Sequence, residues 1–377
     1  MKRKLIALAV ASVFVAPAAM ADTGNVTMYG VMDGSFDSTS TGAAVGGNSV
    51  STTKVSSSQS RIGFKGTEDL GGGTNAVWQI ENGINSDGAA GTWNNRNTFV
   101  GLSGDSWGAV LLGNYDSPYK SATRGMDVFA DTIADNRNIM GVATIAGAAA
   151  NTPASMQFDG RSSNSITYTT PDLGGFKLSG QYVAGAEAAS TQAQNKGSAY
   201  ALSGVYASGP LTGALAYAVH DLGTTATGVL GTGIAGDVNK KERALKIAGG
   251  YAVDQFSVNL VFEKLTDDMG AGSASSDRKA YYLAGKYNLS GTDAVKLAYT
   301  SAGNAGSPAV ANTSAKQISI GYDHAMSKRT KVYALWSKVT NDTNAAYGLG
   351  TGVSTGAVAA AANADPAAVS IGVKHTF

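Results

Sequence analysis

Along most of this chain, apolar and polar residues alternate for about ten positions and then give way to a clump of Gly, Ser, Asn and Asp. A period of two is the signature of a strand whose faces meet different surroundings. Over residues 256–263, Phe256, Val258, Leu260 and Phe262 share one face, and Ser257, Asn259 and Glu263 the other. Phe176, Leu178 and Tyr182 oppose Lys177, Ser179 and Gln181 in the same way. Val295, Leu297 and Tyr299 oppose Lys296 and Thr300, and Ile318, Ile320 and Tyr322 oppose Ser319 and Asp323. Residues 331–339 read on either face. Breaks at turn residues predict sixteen strands, at 25–37, 59–69, 74–82, 95–104, 108–117, 161–171, 175–184, 197–207, 211–221, 242–252, 255–266, 278–288, 292–301, 315–325, 330–340 and 367–377. Tight turns at 71–73, 105–107, 172–174, 208–210, 254, 290–291 and 326–328 alternate with long polar loops such as 38–58, 83–94, 222–241 and 341–366. Short turns at one rim, long loops at the other and an even strand count predict an all-β fold, a closed transmembrane antiparallel β-barrel of sixteen strands.

The alternation stops over about 120–160, a loop long enough to expect a function of it. Here Asp127, Asp131 and Asp135 are spaced i, i+4 and i+8. On a helical wheel they fall within about 80° of one another, with Met126, Phe129 and Ile133 on the opposite arc. Like charges at this spacing repel. The expectation is an inserted loop with one short helical piece whose acidic edge faces something basic. Three strands open on an arginine after a long loop: Arg61, Arg96 and Arg161. Arg61, Gly63 and Lys65 share a face opposite Ile62 and Phe64, and Phe99 is expected opposite Arg96. On the lipid side an arginine would cost up to about 4 kcal/mol, depending on depth. The arginines are therefore expected to point inward, forming with Lys65 a basic wall across the lumen from the acidic loop.

Composition narrows the alternatives. The chain opens on Met-Lys-Arg-Lys, an apolar run over 5–15 and Ala19-Met20-Ala21. This reads as a secretory signal peptide, 1–21, leaving a single barrel domain over 22–377. The apolar run is too short to span a membrane as a helix. Removing the leader's three basic residues from the 28 Lys and Arg leaves 25 against 27 acidic residues, a balance that does not suggest nucleic acid. Charged residues make up 15%, glycines number 49, and there is no cysteine, which excludes disulfides, thiol catalysis and cysteine metal sites. No cofactor or metal is expected. The last strand carries Val369, Ile371, Val373 and His375 on one face and ends on Phe377.

Four stretches carry a resemblance: Val26-Thr-Met-Tyr-Gly-Val-Met-Asp-Gly34, Ser60-Arg-Ile-Gly-Phe-Lys-Gly-Thr-Glu-Asp-Leu-Gly71, Asn95-Arg-Asn-Thr-Phe-Val-Gly-Leu102 and Val373-Lys-His-Thr-Phe377. The chain resembles the general, diffusive porins of Gram-negative bacteria, above all those of β-proteobacteria. The resemblance implies a sixteen-stranded barrel in the outer membrane, a homotrimer, and a third loop folded into the lumen as a constriction. It implies passive diffusion of ions and small hydrophilic solutes and no enzymatic step. It also implies contact with outer-membrane lipid and lipopolysaccharide, and an assembly machinery that reads the terminal Phe377. It gives Arg61, Arg96 and Arg161 the family's wall positions, and Asp127 and Asp131 those of the acidic loop. Where enterobacterial relatives carry a lumenal lysine in the first strand, this chain has Val31, followed by Asp33 on the same face, which leaves ion preference open.

Several motifs point elsewhere and are set aside. Gly231-Thr-Gly-Ile-Ala-Gly236 fits a dinucleotide fingerprint but follows no buried strand and opens no helix. Gly104-Asp-Ser-Trp-Gly108 fits a nucleophile elbow but falls on a tight turn. His220, His324 and His375 form no metal-type pair, and 240–243 reads as a solvated junction. A solute-specific channel or a barrel adhesin remains the alternative. The first would be expected to show a line of inward aromatics, and none is evident.

Overall fold

The computed structural model describes residues 26–44, 47–88, 96–141, 158–184, 197–221, 240–268, 277–305 and 311–377. The leader at 1–21 and the glycine motif at 231–236 lie outside them. The first strands are β1 (Val26–Ser40), β2 (Ser51–Ser57), β3 (Arg61–Asp69), β4 (Asn75–Gly83), β5 (Thr98–Gly104) and β6 (Gly108–Asp116). A helix α1 (Pro118–Arg124) precedes β7 (Arg161–Thr169), β8 (Phe176–Val183), β9 (Ser198–Ser208), β10 (Leu211–Asp221) and β11 (Lys241–Val253). Then follow β12 (Phe256–Asp267), β13 (Arg278–Asn288), β14 (Asp293–Ala302), β15 (Ala315–Ala325), β16 (Thr330–Asn341) and β17 (Ala367–Thr376).

Each strand pairs antiparallel with its sequence neighbours, and β1 with β17 closes the ring. Seventeen segments make sixteen staves, because β2 and β3 both pair with β1, one on each half of its length. Between them the chain bulges. Gln59 takes a φ of 57°, and the Ser60 hydroxyl donates to the Asp33 carbonyl at 3.1 Å. Much of the stretch expected as a loop over 38–58 is thus a long hairpin arm, whose Ser and Thr residues conceal the alternation.

Alternation settles which face is which. Val295, Leu297 and Tyr299 are exposed on the outside of β14, while Lys296, Ala298 and Thr300 are buried inside. The inner wall from β9 to β16 carries Ala201, Ala216, Ala244, Ala280, Ala284 and Ala298, small residues that leave room inside the barrel. Into that room the loop after β6 folds, placing Tyr119, Met126, Phe129, Ile133 and Ile139 in one apolar cluster with Leu265, Leu335 and Val339 of the wall. This explains the ambiguity of 331–339: Tyr333, Leu335 and Val339 face inward yet are apolar because the loop covers them.

The loop's helix is not where the spacing put it. It is α1, with Pro118 in its first turn and the Ser117 side chain capping the Lys120 amide. Beyond Arg124 the chain makes successive turns, then a single 3₁₀ turn over Asn136–Asn138. Asp131 sits at a φ of 62°, so the three aspartates converge through tight turns and not along a helical stripe.

Candidate functional site

The site forms where this loop crosses the lumen. Polar groups of the wall fix its course. The Tyr119 hydroxyl donates to Glu263 at 2.9 Å, and the Gly141 amide donates to the same carboxylate at 2.9 Å. Tyr282 donates to Asp127 at 2.8 Å and accepts from the Val128 amide, while the Gln317 amide group donates to the Ala134 carbonyl. At the loop's far foot, Lys246 contacts Asp159 at 2.5 Å. Phe129 is completely buried; Lys296 lies over its ring, and Gly321 has no side chain where that ring sits. A residue-length register of apolar and hydrogen-bonded contacts on β12, β13 and β15 therefore presses one side of the loop to the wall. The other side is left toward the opposite staves.

That other side is charged. Arg124 reaches Asp131 and Asp135, each at 2.6 Å, and Asp127 at 3.7 Å. Arg137 reaches Asp135 at 3.0 Å. The loop thus neutralises most of its own acid with two arginines that the sequence reading did not single out. Asp127 and Asp135 are buried, and only Asp131 keeps 24% of its side chain exposed. Burial opposes the charge on Asp135, but Arg124 and Arg137 hold its carboxyl well below the usual range. Asp131 is likewise held low against burial by Arg124 and Arg61. Burial and the neighbouring Asp135 push Asp127 up to about 6.

Opposite the loop, Arg61 comes within 3.7 Å of Asp131. Arg96 donates to Glu81 at 2.6 Å and to the Gln59 side chain at 2.6 Å, and Arg61 approaches the same Glu81 at 3.8 Å. Arg161 and Lys120 share Asp116, at 2.9 and 2.6 Å. Two irregularities flank these groups: the bulge at 58–60, and a register shift between Gly113 and Tyr115 where β6 meets β7. Bulges of this kind re-aim side chains. Lys65 stands apart from this group, nearer the short-turn rim, with its ammonium 5.4 Å from the Tyr29 ring centre.

Arg61 and Arg96 therefore meet at Glu81 and Arg161 stands at Asp116, while the three aspartates gather on Arg124, with Asp131 the one that also reaches Arg61; Lys65 occupies other surroundings. Phe99 is also not where parity placed it. It packs inward, edge-on to Tyr115 at 5.3 Å, because β5 begins only at Thr98 and Arg96 belongs to the preceding loop. Sequence reasoning missed Glu81 and Asp116: Glu81 follows Gln79 on the inner face of β4, which was a signal, whereas β6 turns Ala109 and Leu111 inward and only the shift beyond Gly113 precedes Asp116. Val31 and Asp33 do face inward, but Asp33 accepts from Tyr333 at 2.9 Å and lies 3.5 Å from Lys374. Among the described residues, no group of three or more His, Cys, Asp or Glu side chains could hold a metal ion.

A closed antiparallel barrel is what the comparisons with known proteins also return. A family model described as Gram-negative porin matches residues 7–344. Outer membrane porin protein 32 of Delftia acidovorans is 30% identical over 383 residues, covering 100% of both chains. Major outer membrane protein P.IB of Neisseria lactamica is 28% identical over 336 residues, covering 88% of this chain and 91% of that protein. The solved anion-selective porin from Comamonas acidovorans superposes with a TM-score of 0.77 at 25% identity, covering 93% of this chain and 99% of that one. Sheet, lumen and relatives agree: the chain belongs to the Gram-negative porins, non-enzymatic outer-membrane channels through which small hydrophilic solutes diffuse passively.

Proposed function

We propose that diffusion through this channel is sorted by charge at a constriction between the wall of Arg61, Arg96 and Arg161 and the third loop, with a net preference for anions. The observation that carries this reading is the 3.7 Å approach of Arg61 to Asp131, which brings wall and loop to one level of the passage. Arg61, Arg96, Arg124, Arg137 and Arg161 keep between 14% and 22% of their side chains exposed. Of the carboxylates beside them, Asp116 and Asp131 stay open at 22% and 24%, whereas Glu81, Asp127 and Asp135 are at 9% or less. A passing ion thus meets more guanidinium than carboxylate, and fixed charge at a narrow neck sets ion preference. The residual asymmetry between wall and loop makes a transverse field in which polar solutes orient. The anion-selective porin from Comamonas acidovorans points the same way.

The test is a reversal potential in a KCl gradient across a planar bilayer. A unit charge about 10 Å from an ion in water is worth about 0.4 kcal/mol unscreened and about 0.15 kcal/mol at 0.1 M salt; acting with opposite sign on anion and cation, it then shifts their ratio about twofold. Arg61→Ala with Arg96→Ala should lower the anion-to-cation permeability ratio about fourfold, and Asp131→Asn should raise it about twofold. Both shifts should shrink from 0.1 M towards 1 M salt as the screening length falls from about 10 to about 3 Å. Shifts of the same sign, or none at low salt, would end this reading. Current without added ligand distinguishes this channel from a barrel adhesin.

The remaining features belong to the same proposal. The protein works as a homotrimer after removal of residues 1–21, sits in outer-membrane lipid and lipopolysaccharide, and is delivered by an assembly machinery that reads Phe377.

A further inference from the structure

The third loop covers the apolar residues on one half of the inner wall; on the other half a smaller apolar cluster stands apart from it. Val77, Ala109 and Leu111 of β4 and β6 are buried there, and Phe99 and Tyr115 pack over them, each half-buried. This cluster is separate from the one that the loop completes. Phe99 stands opposite Gly113 in the ladder, so no side chain comes between its ring and that of Tyr115. The two rings meet edge to face at 5.3 Å, with their planes at 84°. Aromatic surface turned to a water-filled lumen costs free energy until something apolar covers it. The inward tyrosines add a contrast. Tyr29, Tyr119, Tyr282 and Tyr333 each donate to a carboxylate, whereas the Tyr115 hydroxyl has no hydrogen-bond partner among the described residues.

A cation lies within reach of these rings. Lys65 is exposed and makes no ion pair among the described residues; its ammonium is 5.4 Å from the Tyr29 ring centre. Its ladder partner is Gln79, whose own partner on the far side is Phe99. Lys65 and Phe99 are thus two staves, about 10 Å, apart at one level of the wall. Between them the Gln79 side chain is turned to the Asn97 carbonyl at 3.3 Å. The carboxylates nearby are already engaged, Glu81 by Arg61 and Arg96, and Asp116 by Arg161 and Lys120.

We propose that this stretch of wall is a binding site for aromatic carboxylates, small planar acids of the benzoate class, on the short-turn side of the arginines. The ring of the solute seats on Phe99 and Tyr115, covering the exposed edge and face of that pair. Its carboxylate points across Gln79 to the Lys65 ammonium, and the flexible lysine stem closes the remaining distance. The Tyr115 hydroxyl is left for a polar substituent on the ring. This binding rests on the charge sorting proposed above, which draws anions to the neck, and names a solute class that charge alone does not select. Acetate has no ring for the aromatic pair and benzyl alcohol no charge for Lys65, so neither makes both contacts.

The experiment is block of the chloride current across a planar bilayer by benzoate, cyclohexanecarboxylate, acetate and benzyl alcohol. With wild-type protein, benzoate should reach half block at about a tenth of the concentration needed with cyclohexanecarboxylate, which has the same charge and no aromatic face. Acetate and benzyl alcohol should block more weakly than either. Phe99→Leu, which keeps the apolar packing, should raise the half-blocking concentration of benzoate about fivefold and leave that of cyclohexanecarboxylate as it was. Lys65→Gln should raise both about fivefold. Benzoate that blocks no better than cyclohexanecarboxylate, in a wild type that prefers chloride in the KCl gradient, would overturn the site and leave the charge sorting standing. That comparison requires no variant to fold. An unchanged benzoate block in folded Phe99→Leu would also overturn it. A wild type without chloride preference would overturn the charge sorting and this site with it.

Discussion

Lys120 shows how a single side chain can make this channel sensitive to pH. It sits in α1 with 10% of its side chain exposed and its ammonium 2.6 Å from Asp116. Burial pushes its pKa down to about 8 despite the pull of Asp116, and Arg161 and Arg137 add to the fall. Because the folded value lies below the ordinary 10.5, the unfolded chain binds more protons between about pH 8 and 10.5. This group's contribution to stability therefore rises with pH through that window; holding the buried ammonium costs most below it. Selectivity moves the other way. Between pH 7 and 9 the neck loses one positive charge, and the anion preference should fall about twofold. Lys120→Met should show the lower preference at both pH values. A wild type whose reversal potential is flat across this range would mean that Lys120 does not face the permeating ion.

At the scale of the element, the third loop is held by shape as much as by charge. Phe129 is fully enclosed, and a Cβ on Gly321 would lie 2.7 Å from its ring. Phe129→Ala removes about 3–5 kcal/mol of packing from the loop's anchored side. The expected result is a folded barrel with noisier current and a larger solute cut-off. Gly321→Leu, which pushes the ring off the wall, should give the same phenotype from the other partner; quiet wild-type traces from both would place the loop's anchorage elsewhere. The loop was also the element least legible in the sequence. The apolar set Met126, Phe129 and Ile133 is legible as one buried group, because burying it is required whatever the backbone does. The helical path was wrong, since turns through Asp131 at positive φ satisfy the same constraint. Nor did spacing reveal that Arg124 and Arg137 would fold back on Asp135, a carboxylate that also accepts from the Asp131 and Arg137 amides. Strands with one wholly apolar face, such as β12 and β15, were legible nearly to the residue. The inner alanines were not, because a small residue is compatible with either side until something is known to fill the space beside it.

For the molecule as a whole, the question is how a sheet of sixteen staves is made to close in one register. Closure joins the two ends of the chain: the Gly30 amide donates to the Phe377 carbonyl at 2.9 Å, and the Phe377 amide donates back at 3.1 Å. Ten further residue pairs run from Val31 opposite Thr376 to Ser40 opposite Ala367. The terminal ring lies over Gly30, where any Cβ would come within 2.3 Å of it. His375 stacks alongside on the same outward face, 6.4 Å away. A slip of one residue would turn every side chain of β17 to the wrong face. The Phe377–Gly30 contact is thus a local check on register at the seam, separate from any recognition of the free terminus during delivery. Two variants divide these roles. Deleting Phe377 removes both and should lower the yield of heat-modifiable barrel in membranes at unchanged synthesis. Gly30→Val keeps the terminal residue but blocks its ring, so it should leave delivery intact while weakening closure. It should then appear as membrane-associated protein of normal amount that loses heat-modifiable mobility in milder detergent. Refolding in detergent, where no machinery acts, should be slowed by both variants if the seam contact matters. Equal refolding of wild type and both variants would show that the Phe377–Gly30 contact does not govern closure.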